Sequence, residues 1–299
     1  MATTERTGLK MMERRHARLT MGVIMALATV GSVQAADEGR LLATGGLVSI
    51  EGAAGGGIVP MAVLAGLSTD PGWDWVAGAS HSAVTDFSLD TLGVAASFND
   101  RFEISLARQQ LGIDFGHGTG LPETIRQSII GAKLKLGGDL IFGTVPLMSA
   151  GLQWKHNDDF ALAESLGAED DSGLDAYFSV SRLHLDGPFH RNWLFNGTLR
   201  ATRANETGLL GFGGGRRHGY QLVGEISTAM FFNPQWALGV EYRQKPQNLE
   251  SVNESDWRDV FVGWFPNKHV NVLLAYVDLG TIANRPDQEG FFLCVTGNF

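Results

Sequence analysis

Hydrophobic and polar residues alternate along most of the chain from residue 74 onward, in segments of 9 to 13 residues. Residues 102–107, 130–136, 148–155 and 236–243 are clear examples. One face of such a segment is apolar and the other polar or small, a period of two that indicates strands and not helices. Segments of this length suit tilted strands that cross a membrane, whereas strands in soluble sandwiches are shorter. The pattern therefore predicts an all-β fold, a transmembrane antiparallel up-and-down β-barrel.

The connections between these segments alternate between short and long. Short or intermediate connections are expected at 99–100, 137–144, 186–192, 233–235 and 266–269, and long ones at 112–124, 157–173, 205–218, 246–255 and 280–289. Outer-membrane barrels have short periplasmic turns and longer external loops. We therefore expect the long connections to lie outside the cell.

Aromatic residues gather near the short connections, where an interfacial girdle is expected. The predicted girdle residues are Phe98, Phe102, Phe232, Trp236, Trp264 and Phe265. The last strand ends on Phe299, which resembles the assembly signal of outer-membrane barrels.

The pattern predicts 12 to 14 strands. Counted back from residue 299, the first of twelve strands begins at Asp74, and residues 41–50 and 58–68 would add two more. The alternation through residues 61–67 favours fourteen strands. The alternative is a twelve-stranded barrel with residues 36–70 inside or beneath it.

One predicted strand has an unfavourable phase. Ala176, Phe178 and Val180 set an alternation that would direct Arg182 and His184 toward lipid. A bulge near Ser181 would restore a polar interior, and we expect one there.

The first 35 residues have the layout of a cleaved signal peptide: five basic residues, an apolar run over 19–30, and Ala35 before the expected cleavage site. Without them, 18 basic and 30 acidic residues remain, a net charge of −12. This acidic balance argues against nucleic acid as a partner. The predicted organisation is a signal peptide (1–35), a Gly-rich segment that forms two strands or a plug (36–73) and the barrel (74–299).

The alternation directs a set of polar side chains into the lumen. These candidate lumen-lining residues are Glu103, Lys133, Lys135, Gln153, Lys155, Asp175, Arg200, Glu225, Glu241, Arg243 and Asp259. They either line a wet channel or pair across the lumen as a structural network.

Catalytic motifs are missing from the sequence: it has no nucleophile elbow, no HExxH and no P-loop. Residues 211–215 (GFGGG) favour a flexible surface loop over a phosphate site. Carboxylates at 158–159 and 169–171 favour a solvated loop over a cation site, and Arg216 and Arg217 face either solvent or lipopolysaccharide phosphates. We predict no enzyme activity, no metal and no cofactor.

Several longer motifs resemble a known family. They are residues 39–46 (GRLLATGG), 50–57 (IEGAAGGG), 170–173 (DDSG), 196–205 (NGTLRATRAN), 209–214 (LLGFGG), 241–246 (EYRQKP), 264–269 (WFPNKH) and 275–280 (AYVDLG). Together they resemble the bacterial family called domain of unknown function 3034, over residues 39–299. The resemblance implies an envelope protein, an outer-membrane barrel, and supplies no activity.

The leading functional hypothesis is a porin-like channel for small solutes, because a barrel of 12 to 14 strands exceeds the interior that side chains alone can fill. A structural or interaction barrel with a plugged lumen is the alternative, and a lipid-acting outer-membrane enzyme is the third. The expected location is the bacterial outer membrane. Expected partners are its lipids, lipopolysaccharide and the barrel assembly machinery. The sequence leaves open whether the protein forms a homo-oligomer.

Overall fold

The computed structural model describes residues 42, 44–67, 71–114 and 124–299. The predicted signal peptide and most of the long connection at 112–124 lie outside these residues. No helix in the described ranges is long and apolar enough to cross a membrane.

Twelve antiparallel strands close into a barrel, and two further strands form a separate small sheet. The strands of this small sheet are β1 (Leu47–Val48) and β2 (Ala54–Gly55). The barrel strands are β3 (Trp73–Val84), β4 (Phe87–Phe98), β5 (Phe102–Ile113), β6 (Thr124–Gly137), β7 (Leu147–Asn157), β8 (Ser172–His184), β9 (Asn192–Thr202), β10 (Gln221–Asn233), β11 (Trp236–Arg243), β12 (Trp257–Trp264), β13 (Val270–Asp278) and β14 (Glu289–Asn298). The one α-helix in the described part of the chain, α1 (Ala161–Ser165), lies in the connection after β7, and short 3₁₀ turns cover Pro188–His190 and Asn205–Gly208.

The barrel closes where β14 pairs with β3, from Gly290 opposite Val84 to Asn298 opposite Val76. Because of this pairing the sheet has no unpaired edge. An unpaired edge could not be exposed to lipid, where its N–H and C=O groups would find no hydrogen-bond partner. The count of twelve also shows that the interpretation favouring fourteen strands is wrong. Residues 44–67 are almost all buried and do not join the barrel sheet, and the stretch 61–67 (MAVLAGL) is apolar on both faces.

The connections confirm the predicted alternation in length. The end of the barrel with connections 99–101, 138–146, 185–191, 234–235 and 265–269 is called the short-turn end. The opposite, long-loop end carries 114–123, 158–171, 203–220, 244–256 and 279–288. The first hairpin is the exception, since residues 85–86 make a tight turn at the long-loop end.

The outer surface of the barrel is apolar. Leu106, Ile130, Leu199, Val260 and Leu274 each keep about half of their side-chain surface exposed in the middle of a strand. Their inward neighbours along the same strands are buried. Exposed apolar residues on every strand form the lipid-facing band that a transmembrane barrel requires.

Strand β8 runs without the predicted bulge. Its pairing with β7 and β9 shows no register shift, so Arg182 points outward. The position is tolerable because β8 ends at His184, and the guanidinium donates to the carbonyls of Phe142 (3.1 Å) and Gly143 (2.6 Å). An arginine near the membrane interface costs much less than one at the midplane.

The predicted girdle needs one correction. Phe98, Phe102, Phe232, Trp236 and Trp264 are all exposed at the short-turn end, and the rings of Trp236 and Trp264 stack 5.8 Å apart. Phe265, in contrast, is buried. It follows the outward Trp264, so alternation turns it inward, and its ring lies 6.3 Å from that of Phe231.

Residues 44–67 fill the lumen, and we call them the lumen segment. Gly45 lies against Gly66, and Gly66 lies against Asp74 at the start of β3. Both ends of the lumen segment are therefore at the short-turn end. Between them the chain folds into the β1–β2 hairpin, in which Leu47 pairs with Gly55 and Val48 with Ala54.

The outward face of the barrel can be tested at Val240, in the middle of β11. Val240→Arg places a charge in the apolar band and should destabilise the folded barrel by roughly 2–4 kcal/mol. Unfolding in urea after refolding into lipid vesicles measures the loss. Gln235→Arg, the same residue introduced into the exposed turn before β11, is the matched control. Equal stability of the two variants would show that Val240 does not face lipid.

Candidate functional site in the barrel lumen

A buried network of charges occupies the middle of the lumen. The lumen segment contributes Glu51, whose carboxylate binds Lys155, Arg200 (3.1 Å) and Arg243 (2.9 Å). These three basic side chains come from strands β7, β9 and β11. All four groups are nearly inaccessible to solvent.

Two further carboxylates on the barrel wall complete the network. Asp175 lies 2.7 Å from Lys155 and 3.4 Å from Arg200, and Glu225 lies 2.5 Å from Arg200. The wall thus supplies three positive charges against two negative ones at this level. Glu51 is the third carboxylate that balances the network.

Neutral groups orient the Arg200 guanidinium. Gln153 accepts a hydrogen bond from Arg200 (2.7 Å), while its own amide donates to the Glu51 carbonyl (3.3 Å). The guanidinium also lies 5.3 Å from the centre of the Tyr177 ring. With its donors shared among the carboxylates, Gln153 and a ring face, the buried cation is well compensated.

A second ion pair holds the lumen segment nearer the short-turn end. Glu103 accepts hydrogen bonds from the backbone N–H groups of Ala54 (3.1 Å) and Ala65 (2.8 Å). Lys133 donates to the carbonyls of Ala54 (2.8 Å) and Val63 (2.9 Å) and pairs with Glu103. One acidic and one basic side chain thus bind both arms of the lumen segment.

Two neighbouring acidic residues face the segment from β11 and β12. Glu241 accepts a hydrogen bond from the Ile58 N–H (2.8 Å), and a Cβ at Gly56 would lie only 1.9 Å from its carboxylate. A side chain at position 56 would therefore require the Glu241 carboxylate to move. Asp259, directly opposite Glu241 in the sheet, is buried with no hydrogen-bond partner at either carboxylate oxygen.

The structure thus places every predicted lumen residue inside the barrel, with Lys135 the most peripheral. Lys135 is half-buried at the short-turn end, 2.6 Å from Asp100. The others lie within the lumen, and most of the charged ones contact the lumen segment or one another. Whether any of them lines a path for solutes is a question of function.

The connection between β9 and β10 folds over the lumen and buries residues 211–214, so only Gly215 of the predicted flexible surface loop is exposed. Phe212 is completely buried, and Gly211 and Gly213 have positive φ values of 72° and 66° that favour glycine. Thr207 also has a positive φ, 61°. Its carbonyl accepts hydrogen bonds from Lys155 (3.1 Å) and Gln127 (3.3 Å), which hold this strained turn in the lumen.

A buried cluster lies beneath these loops, at the mouth of the lumen. Lys245 pairs with Glu206 and lies 3.6 Å from Glu254, and its ammonium lies 4.2 Å from the centre of the Trp257 ring. The Glu206 N–H donates to Glu254 (2.9 Å). Burial raises the pKa of Glu254 to about 8, and repulsion by Glu206 adds to the shift.

The loop carboxylates considered as a cation site pair with basic residues. Asp159 binds Arg126 (2.9 Å), Asp170 binds Arg203 (2.6 Å) and Asp158 contacts Arg108. Within the described ranges, no group of three or more His, Cys, Asp or Glu side chains could hold a metal. Arg216 and Arg217 are exposed.

Sequence reasoning missed Glu51 and the cluster of Glu206, Lys245 and Glu254. Glu51 did carry a signal, since it is the only charged residue between Arg40 and Asp70. A single carboxylate in an apolar, Gly-rich segment points to a specific buried partner. The mouth cluster carried no such signal, because its residues come from loops whose inward folding has no periodic pattern.

Glu51 should control how firmly the lumen segment is held. Glu51→Gln leaves three buried cations facing two carboxylates, and we expect the docked segment to lose about 3–5 kcal/mol. Hydrogen exchange at the amide of Ile50, which donates to the Gly57 carbonyl (3.0 Å), reports this loss. Glu250→Gln, in an exposed loop, is the control. Unchanged protection of Ile50 would contradict a role for Glu51 in docking.

The mouth cluster should open more easily at higher pH. Glu254 keeps its proton in the folded mouth cluster up to about pH 8, but loses it near its ordinary pKa of 4.5 when the cluster opens. The folded cluster therefore binds the extra proton between these values, and its stability falls by about 1.4 kcal/mol per pH unit as pH rises through that window. Hydrogen exchange over residues 204–212 at pH 6 and 8, corrected for intrinsic rates, measures the fall. Glu254→Gln should remove most of it, and an identical pH dependence in that variant would exclude Glu254 as the source.

Known proteins with a similar structure are only distantly related to this chain. No curated protein has a sequence that matches the chain. Among solved structures, the KdgM porin aligns over 75% of this chain and 99% of its own, at 10% identity and a TM-score of 0.49. Omp33 of Acinetobacter baumannii covers 76% of this chain and 98% of its own, at 8% identity and a TM-score of 0.47. At these identities the similarity concerns the fold alone.

The family comparison is more specific. The model of the family described as "Protein of unknown function (DUF3034)" matches residues 44–296, which include the lumen segment, eleven complete barrel strands and most of β14. The chain therefore belongs to this family.

Proposed function

We propose that this protein is an outer-membrane barrel for the passage of small solutes, and that the lumen segment closes it. The observation that carries the proposal is the way the segment is held. On the wall between β5 and β11 it is held by ion pairs and hydrogen bonds to Glu103, Lys133, Lys155, Arg200 and Arg243, beside a smaller apolar contact of Met61 and Val63 with Leu147 and Leu183. Such contacts can be replaced by water when the segment leaves.

In the described conformation the lumen is closed. Two cavities beside the segment have volumes of about 40 and 50 Å³, room for a few water molecules only. Solute passage therefore requires displacement of the segment. The vacated wall would expose the charged side chains now bound to it, which would attract small polar or charged solutes.

A structural barrel with a permanent plug is the second candidate. Full burial of the segment and the balanced charges around Glu51 favour it. The two candidates differ in a single property, because only a channel needs the segment to move.

A reversible cross-link between the segment and the wall can separate them. The Val48 side chain points at Gly93 of β4, where a Cβ would lie 2.6 Å from the nearer Val48 methyl carbon. Val48→Cys combined with Gly93→Cys, in a Cys294→Ala background, places two thiols side by side. We expect this variant to conduct in planar bilayers under reductant and to fall silent when oxidised.

The single-cysteine variants are the controls, since they should conduct equally in both redox states. A difference in gel migration between heated and unheated samples verifies that every variant is folded. Equal conductance of the oxidised and reduced double variant would show that passage does not need displacement of the segment. Silence of the reduced variant, the wild type and Glu51→Gln alike would favour the permanent plug.

The cellular setting belongs to the same proposal. The apolar outer band supports a location in the outer membrane, reached through the signal peptide at 1–35, with the long-loop end outside. Exposed Arg216 and Arg217 at that end could bind lipopolysaccharide phosphates. Phe299, paired through its backbone with Trp75, would serve the barrel assembly machinery as a terminal strand signal. The proposed function is transport and not catalysis.

A further inference from the structure

The carboxylate of Glu51 is bound by three cations of the barrel wall. Its oxygen Oε1 lies 2.9 Å from a guanidinium nitrogen of Arg243 and also contacts Lys155, and Oε2 lies 3.1 Å from Arg200. The cations come from β11, β7 and β9, so they converge on one carboxylate from three strands. The wall thus presents donors to both oxygens of a group that it does not itself supply.

Each of the three cations also has a partner on the wall that does not depend on the lumen segment. Lys155 lies 2.7 Å from Asp175. Arg200 lies 2.5 Å from Glu225, and Nε of Arg243 lies 3.7 Å from the same carboxylate. These contacts hold the cations in place whether or not the segment is present. A site that is ordered in advance loses less entropy when a ligand binds.

Aromatic rings support the two guanidinium groups further. Arg200 lies 5.3 Å from the centre of the Tyr177 ring, and Arg243 lies 6.0 Å from the centre of the Trp257 ring. A ring face attracts a cation but does not neutralise its charge. The rings therefore help to position the arginines and leave their charge available to an anion.

The charge of this site determines the charge of a ligand that fits it. Without Glu51, the three cations of the network face only Asp175 and Glu225, which leaves an excess of one positive charge. A monoanion restores the balance, whereas a neutral molecule leaves the excess and a dianion reverses it. A planar carboxylate also matches the fork of a guanidinium group better than a spherical ion does.

We propose that these cations form a binding site for one small monocarboxylate, and that Glu51 occupies this site in the closed barrel as an internal substitute for the ligand. The site gives the proposed channel a solute class, because a carboxylate competes with Glu51 for the cations and favours release of the lumen segment. Entry of a solute rests on the proposed function, whereas the site itself does not.

The site can be tested by removing the end of the Glu51 side chain and supplying its atoms again. Glu51→Ala deletes the γ-carbon and the carboxylate, which together have the size of acetate. Acetate that fills this space binds only the docked segment and should stabilise it. In lipid nanodiscs, protection of the Ile50 amide from hydrogen exchange should therefore rise with acetate concentration, by about tenfold at ten times the Kd.

Two matched controls separate binding from general effects of salt. Glu51→Gln removes the same charge but leaves no space, so acetate should not change its protection. Propionate is one carbon larger than the deleted group and should protect Glu51→Ala less than acetate does. All measurements are made against sodium chloride of equal ionic strength, because salt screens charges.

Equal protection of Glu51→Ala in acetate and in chloride would overturn the proposal. An equal effect of acetate on Glu51→Ala and Glu51→Gln would overturn it as well. Should Glu51→Ala fail to fold in chloride, the yield of folded barrel in acetate is compared with that in propionate, and equal yields would count against the site.

The assignment of the solute class has a separate test in planar bilayers. The wild-type barrel should open more often in sodium acetate than in sodium chloride of equal ionic strength, because acetate competes with Glu51. Equal opening in the two salts would overturn the assignment. The exchange measurement needs no conductance, so the two failures are distinguishable: a silent barrel whose Glu51→Ala variant binds acetate contradicts the channel and supports the site.

Discussion

The structure depends on one electrostatic constraint, the balance of buried charge at the centre of the lumen. Lys155, Arg200 and Arg243 lie where water does not reach, and Asp175 and Glu225 neutralise only two of them. An isolated charge in such a place is expensive, and breaking a buried pair costs several kcal/mol. Glu51 removes the imbalance, which ties the position of the lumen segment to the register of strands β7 to β11.

The same constraint explains why the segment is rich in glycine. Its backbone must approach the wall closely enough for Glu103, Lys133 and Glu241 to reach its N–H and carbonyl groups. At Gly56 the Glu241 carboxylate occupies the space that a side chain would need. Buried backbone N–H and C=O groups cannot be left without hydrogen bonds. Because the segment forms a ladder of only two residue pairs, the wall supplies hydrogen-bond partners for many of its other backbone groups.

The barrel itself was predictable because its signal is local. Lipid on one side and a packed lumen on the other force a period of two along each strand, and residues such as Glu103 and Arg243 carry that period in the sequence. The errors occur where the period ends. Arg182 keeps the alternation without a bulge because the strand is about to reach the interface, and Phe265 continues it one residue past the end of β12.

The contents of the lumen were not predictable in the same way. Residues 61–67 (MAVLAGL) are apolar or small throughout and buried on both faces. The larger residues at every second position resemble a strand, but a run without a polar face does not show whether it lies in the sheet or inside the barrel. The partners of Glu51 lie from 104 to 192 residues away from it in the sequence, so no local pattern could identify them. The inward fold of the β9–β10 connection depends equally on distant groups, since Lys155 and Gln127 hold Thr207 in place.

Two kinds of contact hold the lumen segment inside the closed barrel: ion pairs such as those of Glu51, and apolar packing such as that of Ile50 and Ile58 with Leu273, Val277 and Phe292. Ion pairs fix its position and orientation, because they are directional and few geometries satisfy them all. Apolar contact on the other side adds stability without direction. Loss of the charge balance around Arg200 would therefore weaken the position of the segment while its apolar contacts still bury it.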